Sequence, residues 1–187
     1  MTGRELYESV LALGFAKSLD EWEDGFLPMA NLALRTVTNL FPPMGTAEVV
    51  VRPVGYSAKI DGALLVPRFR RYARVPLLLD GEPLREGRDY RVSGGCLAVE
   101  PYFAGKTVTL RAECNAKKIT ADSMEAEVDC PEEACHLLPL LLASILWARE
   151  DEELSAGYYT RYRAAASELL SSPRGYAPSY RREGGWA

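Results

Sequence analysis

Histidine is almost missing from this 187-residue chain, and the reactive groups it does have lack useful spacing. The one histidine, His136, adjoins Cys135; adjacent helical residues point about 100° apart, so the two cannot act on each other as nucleophile and base. Cys130-x4-Cys135-His136 falls short of a structural zinc site, which takes four ligands in close pairs. The other cysteines, Cys96 and Cys114, fall in expected strands. No nucleophile elbow is present to complete a Ser/His/Asp triad through His136. Glycine occurs in pairs, but Gly94-Gly95 reads as a hairpin turn rather than a phosphate loop between strand and helix. Four cysteines are too sparse for a disulfide scaffold and suit free thiols in a reducing cytoplasm. These absences predict no enzymatic activity, no metal and no cofactor.

A basic excess is also lacking. The formal net charge of -4 argues against a dedicated nucleic-acid binder. The charge is uneven, however: residues 45–115 hold 11 Lys and Arg against 8 Asp and Glu, and the flanks hold 11 against 18. The opening MTGRELYESV lacks the charged-then-apolar pattern of a signal peptide. The longest apolar run, residues 137–147, is shorter than the roughly 20 residues needed to cross a bilayer. No membrane partner is expected.

That apolar run, Leu137-Leu-Pro-Leu-Leu-Leu-Ala-Ser-Ile-Leu-Trp147, is what the chain has in place of a catalytic motif. Its apolar side chains point all round the helix axis, so it requires cover from other helices or neighbouring subunits. Pro131 and Glu132-Glu133 mark its start, and Pro139, about two turns in, is expected to bend it. Before it, Thr2-x-x-Glu5 and Ser18-x-x-Glu21 are capping boxes. The first leads Leu6, Val10 and Leu13 up to Gly14. The second leads the stripe Leu19, Trp22, Phe26, Met29, Ala33 and Val37, interrupted at Gly25 and Pro28 and ending near Leu40.

From Ala47 the period changes to that of strands, with turn signals at Asp61-Gly62, Asp80-Gly81 and Gly94-Gly95. After an arm over 114–128 and the apolar helix, Glu150-Asp-Glu-Glu153 opens a last helix. Its seam is Leu154, Tyr158, Tyr162, Ala165 and Leu169. The expected fold class is α+β: a helical bundle formed by the N- and C-terminal helices, with an inserted small antiparallel β-module. Its parts are 1–44, N-terminal helices; 45–115, β-module; 116–172, arm and C-terminal helices; and 173–187, flexible tail.

Two stretches suit contact with partners. Arg68, Arg70, Arg71 and Arg74 interleave with Phe69 and Tyr72, a pattern that fits either DNA-facing cations or a charge-protected edge strand. The tail carries Arg174, Tyr176, Tyr180, Arg181, Arg182 and Trp186, residue types enriched in binding hot spots, and reads as either a strap or a frayed end.

Three segments together resemble a known family: LYESVLALGFAKSLDEWEDGFLPMANLALRTVTNLFP, CPEEACHLLPLLLASILWAREDEELSAGYYTRYRAAASELL, and the β-rich LLLDGEPLREGRDYRVSGGCLAVEPYFAGKTVTLRAE between them. Over residues 5–170 the chain resembles the tailed-bacteriophage head–tail connector (adaptor or neck) proteins, found also in prophages. The resemblance implies a non-enzymatic virion protein, assembled in the host cytoplasm into a homo-oligomeric ring, often a dodecamer. Its implied partners are the portal protein and tail or neck proteins, with DNA passing through the lumen without sequence specificity. Alternative readings are another phage structural component, or a β-sandwich module binding host surface or glycan, with Tyr90, Tyr102 and Phe103 as stacking candidates. An enzyme using His136 ranks last.

Overall fold

Thr2 begins the first helix as its sequence requires: its hydroxyl accepts the Glu5 amide hydrogen, and the Glu5 carboxylate accepts from the Thr2 amide. The computed structural model describes residues 1–15, 25–53 and 55–171. The Ser18-x-x-Glu21 box, Leu19, Trp22 and the whole tail, including Arg174, Tyr176, Tyr180, Arg181, Arg182 and Trp186, lie outside the described residues. Helix α1 spans Gly3–Ala12 and buries Leu6 and Val10; Gly14, at φ +92°, ends it. Helix α2, Phe26–Leu40, starts after Gly25 and buries Phe26, Ala30, Ala33, Leu34 and Val37. Pro28 falls in its first turn, where its missing N–H costs nothing.

The middle segment departs from one inserted β-module. The strands are β1 Met44–Val50, β2 Ala58–Ile60, β3 Phe69–Leu79, β4 Glu82–Pro83, β5 Tyr90–Ser93, β6 Cys96–Val99 and β7 Thr107–Cys114. They form two antiparallel sheets, ordered β1-β7-β3-β4 and β2-β6-β5. Two of the three turn signals make hairpins. Asp80 (φ 51°) and Gly81 join β3 to β4, and Gly94-Gly95 joins β5 to β6. The third does not. Asp61 caps a short helix, α3 Gly62–Leu65, by accepting the Ala63 amide hydrogen at 2.9 Å. That turn of helix lies between β2 of one sheet and β3 of the other. Val51, Ile60, Leu77, Leu97, Val99, Val108 and Leu110 fill a core drawn from both sheets.

The remaining elements are α4 Glu132–Cys135, α5 Leu137–Trp147 and α6 Glu152–Ser171. The expected bend at Pro139 is found one turn earlier, as a break at His136 between α4 and α5. Breaking there places Pro139 in the first turn of α5, where a missing donor is harmless. α5 buries Leu137, Leu138, Leu141, Leu142, Ala143, Ser144 and Leu146. Its apolar cluster also holds side chains of α1, α2 and α6, with Ile119 and Val128 from the non-helical arm. Cover for this helix therefore comes from its own chain.

The fold class expected from sequence is thus corrected. The chain is mixed α/β with two antiparallel sheets, and its helices are spread along the chain, α3 lying between strands, rather than forming an N- and C-terminal bundle around one sheet. Two compact units are distinguished: one holds Met1–Pro43 and the described chain from Ala116 onward, the other Met44–Asn115.

Candidate functional site

Helix α6 turns a narrow side inward. Tyr162 and Ala166 are buried, and Tyr158, Ala165 and Leu169 are half-buried. Leu154, expected at the start of this seam, points outward; Ser155 takes the inner position and donates to the Ser144 carbonyl at 2.9 Å. Tyr158 donates to the Leu13 carbonyl at 2.7 Å. At the start of the helix, Asp151 accepts the Leu154 amide hydrogen at 2.9 Å, with Glu152 and Glu153 in the first turn, where the dipole favours negative charge. The acidic run therefore serves the helix start.

The outer side of α6 carries a second set of apolar residues. Tyr159, Arg163, Ser167 and Leu170 recur by three or four along it, and Leu32, Thr36 and Leu40 recur by four along α2. Between them lies a groove of about 500 Å³, lined by Thr36, Asn39 and Leu40 of α2 and by Tyr159, Ala166 and Leu170 among others of α6. Leu32, Leu40, Tyr159 and Leu170 are 46–56% exposed. Thr36 donates its hydroxyl to the Leu32 carbonyl at 2.9 Å, which satisfies its polar group within the helix. The floor is aromatic: the Tyr159 and Tyr162 rings lie 6.0 Å apart, and burial raises the Tyr162 phenol pKa. Such a face is suited to contact with apolar surface. Sequence reasoning followed the inward stripes and missed this one, although the outward spacing of Leu32 with Leu40 and of Tyr159 with Leu170 was there to find.

The basic stretch is mostly engaged locally. Arg71 pairs with Glu113, its cross-strand neighbour on β7, at 2.6 Å. Arg68, at φ 57°, donates to the Asn115 carbonyl at 3.0 Å. Arg70 is half-buried and Arg74 exposed. Strand β4 covers β3 only at Leu78 and Leu79, so among the described strands this part of β3 has a sheet neighbour, β7, on one side. Of the proposed sugar-stacking residues, Tyr90 and Phe103 are buried in the β core; Tyr102 is exposed, but its hydroxyl bonds Asp89.

Two polar centres went unread in the sequence. Asn31 clasps the arm, donating to the Ile119 carbonyl and accepting the Ile119 amide hydrogen, both at 2.8 Å. Asp89, 1% exposed, accepts from the Arg85 amide at 2.8 Å, from Arg88 Nε at 2.7 Å and from the Tyr102 hydroxyl. The Arg88 hydrogen bond, with those of Tyr102 and the Arg85 amide, outweighs burial and lowers its pKa to about 2.

Among the described residues no group of three or more His, Cys, Asp or Glu side chains is placed to hold a metal ion, and no helix is long and apolar enough to cross a membrane. No family model and no curated protein matches the chain.

Proposed function

We propose that this chain is a structural virion protein, a head–tail connector subunit that joins copies of itself into a ring between portal and tail and catalyses no reaction. The observation that carries the reading is the apolar face across α2 and α6. Leu40, Tyr159 and Leu170, each about half-exposed, line one groove, and Leu32 extends the same stripe along α2. Contiguous apolar surface of this kind marks association sites. A second copy is the occupant proposed, since a ring presents the same face once per subunit and closes by repetition of one contact. The three-segment resemblance to connectors supports the same assignment.

The test is sedimentation velocity on the double variant Tyr159→Asp, Leu170→Asp. Both side chains are outside the core, so the monomer is expected to melt as the wild type does while the assembly falls to monomers. Unchanged assembly in a normally folded variant removes this face from the interface.

A further inference from the structure

The arm joins the helical unit at Cys130 and Pro131, where two thiols meet. Pro131 is the N-cap of α4, so Cys130 occupies the position before the cap and Cys135 the fourth position of the helix. Residues at these two positions pack against each other as an apolar staple that fixes how the chain enters a helix. Here both are cysteine. The Cys135 thiol donates to the Cys130 carbonyl at 3.5 Å, which ties the two residues together. Both are half-buried and therefore partly open to a small reagent. Neighbouring bonds hold the site in place: the Lys117 amide donates to the Asp129 carboxylate at 2.7 Å and the Cys130 amide to the Val128 carbonyl at 2.7 Å.

We infer that Cys130 and Cys135 form a two-thiol site that closes to an intramolecular disulfide on meeting a low-molecular-weight disulfide, converting the staple into a covalent one. The division of labour follows from their surroundings. The neighbouring Cys130 side chain brings the Cys135 thiol down to about 7 against the opposing effect of burial. The same neighbourhood, with burial, pushes Cys130 up. Cys135 is the attacking thiolate, since the thiolate is the nucleophile. It bonds to one sulfur of the small disulfide, whose S–S bond breaks; the departing thiolate takes a proton from water. Cys130 then loses its proton and attacks Cys135 Sγ, expelling the second small thiol. The chain gives up two electrons and two protons, and the small disulfide becomes two thiols. This site does not depend on the assembly proposed above.

The experiment uses the full chain, reduced and then treated at pH 8 with oxidised glutathione. Intact mass and a peptide map are read together. The expected result is loss of two hydrogens per chain, a Cys130–Cys135 bond, and no lasting glutathione adduct. Cys130→Ser, checked by its melting curve, is expected to hold glutathione on Cys135, because nothing remains to displace it. Phenylarsine oxide, which requires two close thiols, is expected to bind the wild type once and this variant not at all. A persistent glutathione adduct on wild-type Cys135 overturns the proposal. So does a bond involving Cys96 or Cys114, or an absence of reaction in the folded protein when the unfolded chain reacts.

Discussion

Asp89 is the residue on which the β4–β5 connection turns. A carboxylate 1% exposed is tolerated there because an amide, a guanidinium and a phenol all donate to it. Its pKa lies at about 2, below the ordinary 3.8. A carboxylate lowered on folding contributes stability that is complete above its unfolded value and is lost as pH falls through its folded value. The window is therefore about pH 4 down to about pH 2. Melting curves across that range are expected to show a steeper loss for the wild type than for Asp89→Asn; parallel curves would contradict the account. At neutral pH, Asp89→Ala is expected to cost about 2–3 kcal/mol in urea unfolding, since it strands the donors that remain. Nothing in the local sequence announced this residue. Arg85 and Arg88 lie near it in the chain, but Tyr102 arrives from the far side of the β5–β6 hairpin. Asn31, whose partner Ile119 is 88 residues away, was equally silent.

At the scale of elements, sequence worked where a signal is local and failed where two residues can use the same signal differently. The Thr2 box, the end of α2 at Phe41 and the hairpins at Asp80-Gly81 and Gly94-Gly95 depend on neighbours within four residues, and all were legible. Asp61-Gly62 was read as a hairpin, but Asp also caps helices, and it is space that decides. A Cβ on Gly62 would lie 2.4 Å from Phe69 Cε2 and 2.7 Å from Tyr72 Cε1. Gly62→Ala is expected to cost about 1–3 kcal/mol in thermal or urea unfolding, because both rings must move; a neutral result would show that they move freely. Pro139 was legible as a disturbance but not in its position, since the chain avoids the lost bond by restarting the helix at Leu137. For α5 itself, Leu141→Asp places a charge in the apolar cluster at a cost of several kcal/mol or more. It is expected to leave little soluble protein. A soluble variant with a cooperative melt would contradict the packing described.

At the scale of the molecule, sequence placed the change of hydrophobic period at Ala47 and read a β-module over 45–115, followed by an arm; the first strand of the structure starts at Met44. Sequence did not show that the strands divide into two sheets. Pairing between β1 and β7, or between β2 and β6, joins residues far apart in the chain and leaves no local mark. The outward face of α2 and α6 was overlooked for a related reason: an exposed stripe has meaning only once the inward one is filled. The tail is a separate matter, argued from composition alone. Its arginines, tyrosines and tryptophan would have to offset an ordering cost of about 2–5 kcal/mol on docking, which many copies acting together make easier. Under the connector role proposed above, deleting the residues after Pro173 is expected to leave the melting temperature nearly unchanged and to weaken attachment to the portal or tail partner, with Trp186→Ala reproducing much of the loss. Unchanged affinity in a pull-down would make the tail a frayed end.

The central claim is self-assembly into a connector ring, and copy number tests it most directly. Mass photometry of the purified 20.7 kDa chain, alone and mixed with a portal protein, is the measurement. The account predicts one dominant closed species of about twelve subunits, formed alone or on the portal. A trimer would point instead to a fibre or receptor-binding component, and a monomer in both conditions would contradict the account.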